Sequence, residues 1–179
     1  MIIAKLNPVG LDERIALIQK ALHDGLEQKG WTNYYAYERV YINPQKILNQ
    51  TSNIPELYNG NNNYREVYYN DKHNAESYFI TPNTRSVESD YVSVSLGVIF
   101  QLDLSKIYPD IDHRADEEAH NDVMNVLTKI SYIGNVTEIV TGVENVYSGL
   151  DTDSVQLTDM QPCHVFRINF TTQYLSKCQ

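Results

Sequence analysis

Leu11, Ile15, Ile18, Leu22 and Leu26 recur at steps of three and four, with Asp12, Glu13, Gln19, Lys20 and Glu27 off that stripe. Such spacing predicts an amphipathic helix that turns its apolar stripe to a core. Asn7 followed by Pro8 reads as a cap with proline at the first helical position, Asp12 and Glu13 suit the positive helix start, and Gly30 supplies a stop. The predicted helix runs from about residue 8 or 11 to residue 29. The run YYAYERVYI, between Thr32 and Ile42, is aromatic and β-branched and predicts a strand. Residues 43–63 hold Pro44, Pro55, Gly60 and three consecutive asparagines, the chemistry of a long irregular loop.

Glu66–Tyr69 and Glu76–Thr81 read as two short strands. The clearest strand follows them, where Val92, Val94, Leu96, Val98, Phe100, Leu102 and Leu104 alternate with Ser93, Ser95, Gly97, Gln101 and Asp103. A period of two predicts one face on a core and the other on solvent or a neighbour. Pro109 ends that run, Asp112 is placed to cap a second helix, and Ala119, Val123, Val126, Leu127 and Ile130 form its buried stripe, with Gly134 as the stop. A strand from Val136 to about Tyr147, a turn-rich segment at 148–161 and a closing strand bearing Phe166, Ile168, Phe170 and Tyr174 complete the order. Together these elements predict an α+β domain spanning 1–179, with an antiparallel or mixed sheet, two main helices packed on one face, and long loops at about 43–63 and 148–161.

Composition narrows the function. A hydrophobic share of 42% over 179 residues supports one sizeable core and calls for no second, independent one. A net charge of −9 with 14 Lys and Arg argues against a surface that grips nucleic acid, while an acidic wall past which DNA slides is compatible with it. No apolar run approaches the roughly 20 residues of a membrane span, and residues 1–6 lack the pattern of a signal peptide. The expectation is a soluble chain made in the cytoplasm, without membrane partners. Cys163 and Cys178 fit neither a disulfide framework nor a zinc pattern and are expected as thiols. The 17 Asn beside 14 Tyr match the bias of AT-rich genomes, so the Asn-x-Thr triplets at Asn49, Asn135 and Asn169 are read as by-products of Asn richness.

The densest polar cluster is Asp110, Asp112, His113, Asp116, Glu117, Glu118 and His120. Two helical turns separate its histidines, where chelation from one helix uses steps of three or four, so the cluster reads as an acidic, solvated helix start and not as a metal site. Asp151, Asp153 and Ser154 open like a calcium loop, but Gln156 and Pro162 stand where a glycine and a bidentate acid are required. Cys163 and His164 are adjacent in a predicted strand and point to opposite faces, which excludes a nucleophile and base pair. With no phosphate loop, nucleophile elbow or metalloprotease motif, the chain is expected to be no enzyme, with no catalytic, cofactor or metal residues. Tyr34, Tyr35, Tyr37, Tyr41, Tyr58, Tyr64, Tyr68 and Tyr69 crowd the first half, and tyrosine buries amphipathic area at low entropic cost, as protein interfaces use it; strand propensity and codon bias explain them equally well.

In its order of elements the chain resembles the phage tail terminator family and related neck and connector proteins. The helix IALIQKALHDGL, the alternating strand YVSVSLGVIFQLDL, the helix EEAHNDVMNVLTKI and the closing strand HVFRINFTTQY carry that resemblance. It implies a virion structural protein in the tail or neck, a homo-oligomeric ring, hexameric or higher, that contacts other neck, portal or tail proteins and passes DNA through its centre as cargo. Tyr58, Tyr64, Tyr68, Tyr147, Leu150, Asp151 and Asp153 are the candidate subunit-interface residues. The rival expectation is a small α+β ligand-binding module with an aromatic-lined pocket.

Overall fold

The computed structural model describes residues 1–47, 50–67, 70–82, 84–88, 90–111, 114–150 and 159–175, and the side chains of all of these except 43–54. Helix α1 spans Leu11–Gln28 and buries the stripe that the spacing predicts, Leu11, Ile15, Ile18, Leu22 and Leu26. Its start differs from expectation. Gly10, at φ 60°, is the N-cap, and Asn7 is itself left-handed at φ 55°, so the Asn7–Pro8 cap does not form. The stop falls at Gly30, whose φ of 94° suits a residue without Cβ and whose N–H donates to the Glu27 carbonyl.

The strand expected between Thr32 and Ile42 divides at Val40. Its first part, β2 (Tyr34–Arg39), runs parallel to β1 (Ile2–Ile3) in the main sheet. Its second part, β3 (Tyr41–Ile47), enters a separate three-stranded antiparallel sheet with β4 (Gln50–Tyr58) and β5 (Tyr64–Glu66). The expected irregular loop at 43–63 is therefore a long β-hairpin, in register from Tyr41 opposite Glu56 to Ile47 opposite Gln50. Its prolines fit because Pro44 lies on the edge strand β3, and Pro55 precedes the Glu56–Tyr58 stretch where β4 is paired on both sides.

The main sheet continues through β6 (Ala75–Ile80), β7 (Ser86–Glu88), β8 (Tyr91–Asp103), β9 (Ile133–Thr141) and β10 (Cys163–Leu175). Its order is β1-β2-β6-β8-β10-β9, with β7 paired to the start of β8. β2 is parallel to both β1 and β6 while the remaining pairs are antiparallel, so the sheet is mixed. Between β8 and β9 lie α2 (Leu104–Ile107), capped by the Asp103 carboxylate accepting from Ser105 N–H at 3.1 Å, and α3 (Ala115–Leu127). The cap expected at Asp112 lies outside the described residues. Gly134 is not the stop of α3 but part of β9, and β9 ends at Thr141 because Gly142, at φ 82°, turns the chain into α4 (Val143–Val146). Of the loop expected at 148–161, residues 151–158 lie outside the described residues.

Register decides which side chains meet. Val94, Leu96, Val98, Phe100 and Leu102 of β8 share a face with Phe166, Ile168 and Phe170 of β10, and α1 and α3 pack on that face. At its centre Trp31 meets Tyr34 and Phe100 edge-on at ring separations of 5.7 and 6.0 Å, and Phe100 stacks on Phe166 at 5.0 Å. The opposite face is not left to solvent. Tyr37, Tyr78, Ile99 and Val165 pack there with Leu57, Val67, Val146 and Tyr147 into a second cluster on the same sheet. From Leu96 to Asp103, β8 is buried on both faces, so its alternation of residue types does not translate into alternating exposure.

Candidate functional site

The predicted interface tyrosines are partly brought together. Tyr58, closing β4, is the cross-strand partner of Tyr64, opening β5, and Tyr41 at the start of β3 lies diagonally across from Tyr58 on the same side of the small sheet. The rings meet edge-on, with Tyr41 and Tyr58 at 5.3 and 5.7 Å from Tyr64. Lys5, just past β1, extends its ammonium over all three, 5.3, 5.4 and 4.9 Å from the centroids of Tyr41, Tyr58 and Tyr64. A hydrogen bond with Tyr64, joined by the nearby Tyr and Glu38 side chains against a small desolvation penalty, raises the Lys5 pKa. Tyr64 is 38% exposed, and Lys5 and Arg39, both over the Tyr41 ring, tie the cluster to the β1–β2 side of the main sheet, while Leu57 and Val67 pack on that sheet's second face.

The other candidates do not join it. Tyr147 is 3% exposed and belongs to the second core, where its hydroxyl accepts from Gln101 Nε2 at 2.5 Å, and Leu150 packs partly buried beside that cluster. Tyr68, Asp151 and Asp153 lie outside the described residues. At the far end of the sheet, β9 pairs with β10 on one side and with no described strand on the other. Along this nine-residue edge Ile139 is 42% exposed, and Tyr132 just before it is 44% exposed. With Glu138 as its sole charge and no proline the edge offers unpaired backbone groups to another strand, although two register shifts against β10 break its regularity.

Two polar constellations went unread in the sequence. Glu76 of β6 is fully buried on the face of the second core, where its Oε1 accepts from Arg65 at 3.1 Å and Tyr37 Oη at 3.5 Å and meets His73 Nδ1 at 2.6 Å. Burial outweighs the Arg65 charge and raises its pKa to about 7. Its Oε2 and the Oε1 of Gln101, the residue directly opposite on β8, have no hydrogen-bond partner among the described residues. The one signal in the sequence was an acid inside the short strand-forming run AESYFI.

The second constellation joins residues 44 apart, which no local motif reveals. His120 of α3 and His164 of β10 point their Nε2 atoms at one another across 3.1 Å. His164 Nδ1 lies 2.9 Å from Asp159 Oδ1, and His120 Nδ1 lies 4.0 Å from Glu117 Oε2. They open on a cleft of about 360 Å³ that is also lined by Arg114, Asp116 and Cys163. His164 turns to the helix side, and both it and the neighbouring Cys163 line this cleft. His113 lies outside the described residues. No family model matches the chain, and no curated protein matches it.

Proposed function

We propose that this chain is a virion structural protein whose copies associate head to tail into a ring at a phage tail end or head-to-tail connection. The observation that carries the reading is the difference between the two ends of the main sheet. One end presents the unpaired β9 edge, and on the β1–β2 side stands the tyrosine cluster of the small sheet, held by Lys5 and Arg39. Two unlike surfaces on one molecule suit a heterologous contact, and heterologous contacts generate a ring when the rotation between neighbours closes. The net charge of −9 suits a channel through which DNA passes without being held. For the rival reading, a ligand-binding module with an aromatic pocket, the cleft of about 690 Å³ near the start of β9 carries Tyr91 and Tyr132 among mostly small polar residues. Light scattering on the purified chain tests the proposal. The expected result is a discrete species several times the 20.6 kDa chain mass that images as a closed ring. A mass of 20.6 kDa at every concentration up to the millimolar range overturns it.

A further inference from the structure

We propose that His120 and His164 form a two-imidazole site for a divalent transition ion of the zinc class, seated at the mouth of the cleft between α3 and the start of β10. This inference stands apart from the ring reading. Three observations support it. First, two nitrogen donors bound at zinc-like lengths to one ion are separated by roughly 2.9–3.4 Å for angles between octahedral and tetrahedral, and the Nε2 atoms here are 3.1 Å apart.

Second, the far nitrogen of each ring faces a carboxylate. Asp159 Oδ1 takes the Nδ1–H of His164, which leaves the Nε2 lone pair aimed at the cleft, and the same oxygen is anchored by Val165 N–H at 3.3 Å. On the other ring, Glu117 Oε2 stands 4.0 Å from His120 Nδ1, beyond hydrogen-bond length, so a carboxylate lies on the side where a proton sits when the Nε2 lone pair is engaged. Carboxylates on the outer nitrogens are the arrangement that orients metal-binding imidazoles and raises their basicity.

Third, the two rings come from different layers and are both nearly buried, with side chains 9% and 10% exposed, yet they converge on an open cleft lined with acids. In the metal-free chain a proton on His120 Nε2, donated to the His164 Nε2 lone pair, gives the same contact between two neutral rings. Binding the ion moves that proton to His120 Nδ1, on the Glu117 side, so that both Nε2 lone pairs are free for the ion. Among the described residues no third histidine, cysteine or acid completes a closed shell, so the remaining positions fall to water or to a ligand entering the cleft. Nitrogen donors with open positions favour zinc, nickel or copper over magnesium or calcium.

The test is a titration of the full chain with Zn²⁺ and Mg²⁺, read by calorimetry and by the unfolding midpoint, beside the variants His120→Gln, His164→Gln and Asp159→Asn. The expected result is one equivalent of Zn²⁺ bound, a raised midpoint, no response to Mg²⁺, and loss of both signals in either histidine variant. Asp159→Asn, in a partly exposed acid outside the buried pair, is expected to weaken Zn²⁺ binding by about 10- to 100-fold while folding normally. It keeps the test decisive should a histidine variant fail to fold. Zn²⁺ binding that all three variants retain undiminished, or no Zn²⁺ response in the wild-type chain, overturns the proposal.

Discussion

At the scale of single residues, the buried Glu76 makes stability depend on pH in a direction opposite to an ordinary salt-bridged acid. Below about pH 4.5 the carboxyl is protonated in folded and unfolded chains alike. Between there and about 7 the native state keeps a proton that the unfolded chain has released, so stability falls as pH rises through that window. The displacement corresponds to on the order of 3 kcal/mol, fully felt above pH 7. His73, kept below its ordinary pKa by burial and then by Arg65, adds little charge over the upper part of that range. The variant Glu76→Gln removes the ionisation at nearly constant side-chain shape. Its stability relative to wild type, from urea unfolding at pH 5 and pH 8, is expected to improve by a few kcal/mol at the higher pH. An unchanged difference between the two pH values would show that Glu76 titrates at its ordinary pKa.

Between elements, the crossing of α1 and α3 depends on a residue without a side chain. A Cβ at Gly25 would lie 2.6 Å from Cγ1 and 3.0 Å from Cγ2 of Val126, closer than packed carbons come. Alanine improves helix propensity by up to about 1 kcal/mol, while overpacking costs typically 1–3 kcal/mol. Gly25→Ala is therefore expected to destabilise the chain, and adding Val126→Ala to recover part of the loss. Thermal or urea unfolding of the four-member cycle measures that coupling, and strict additivity would place the contact elsewhere. The same contact explains which elements were legible in the sequence. Helices α1 and α3 each bury one stripe against one partner layer, so a period of three to four reports their environment directly. β8 was legible as a strand but not as a strand covered on both sides, because Gln101 and Asp103 look like surface residues until Gln101 is seen bonded to Tyr78 and Tyr147. The hairpin of β3 and β4 was hidden by Pro44, Pro55 and the asparagine tract, which mark loops unless the prolines fall where the ladder does not need their N–H. Of the candidate site, Tyr58 and Tyr64 were legible as surface aromatics. The placing of Lys5 over those rings and of Tyr41 beside them, and the His120–His164 pair, arise from contacts between distant elements, which composition and spacing do not encode.

For the whole molecule, the question is whether its two sheet ends meet each other or each meets its own copy. In a head-to-tail ring the β9 edge of one chain contacts the tyrosine end of the next, so the two surfaces do different jobs. Ile139→Lys places a charge on the exposed edge, a common natural device against strand pairing. Tyr58→Ala with Tyr64→Ala strips the opposite end of its aromatic area while leaving both cores untouched, since neither ring belongs to them. Each variant alone is expected to run as a single chain in light scattering. Mixed in equal amounts, an Ile139→Lys chain still offers an intact tyrosine end and a Tyr58→Ala, Tyr64→Ala chain still offers an intact β9 edge, so one contact can form between them and no ring can close. The mixture is expected to yield a two-chain species that neither variant forms by itself. Were the contacts like-to-like, each variant would retain one intact self-complementary surface and dimerise without the other, and that result would replace the ring with a two-fold assembly.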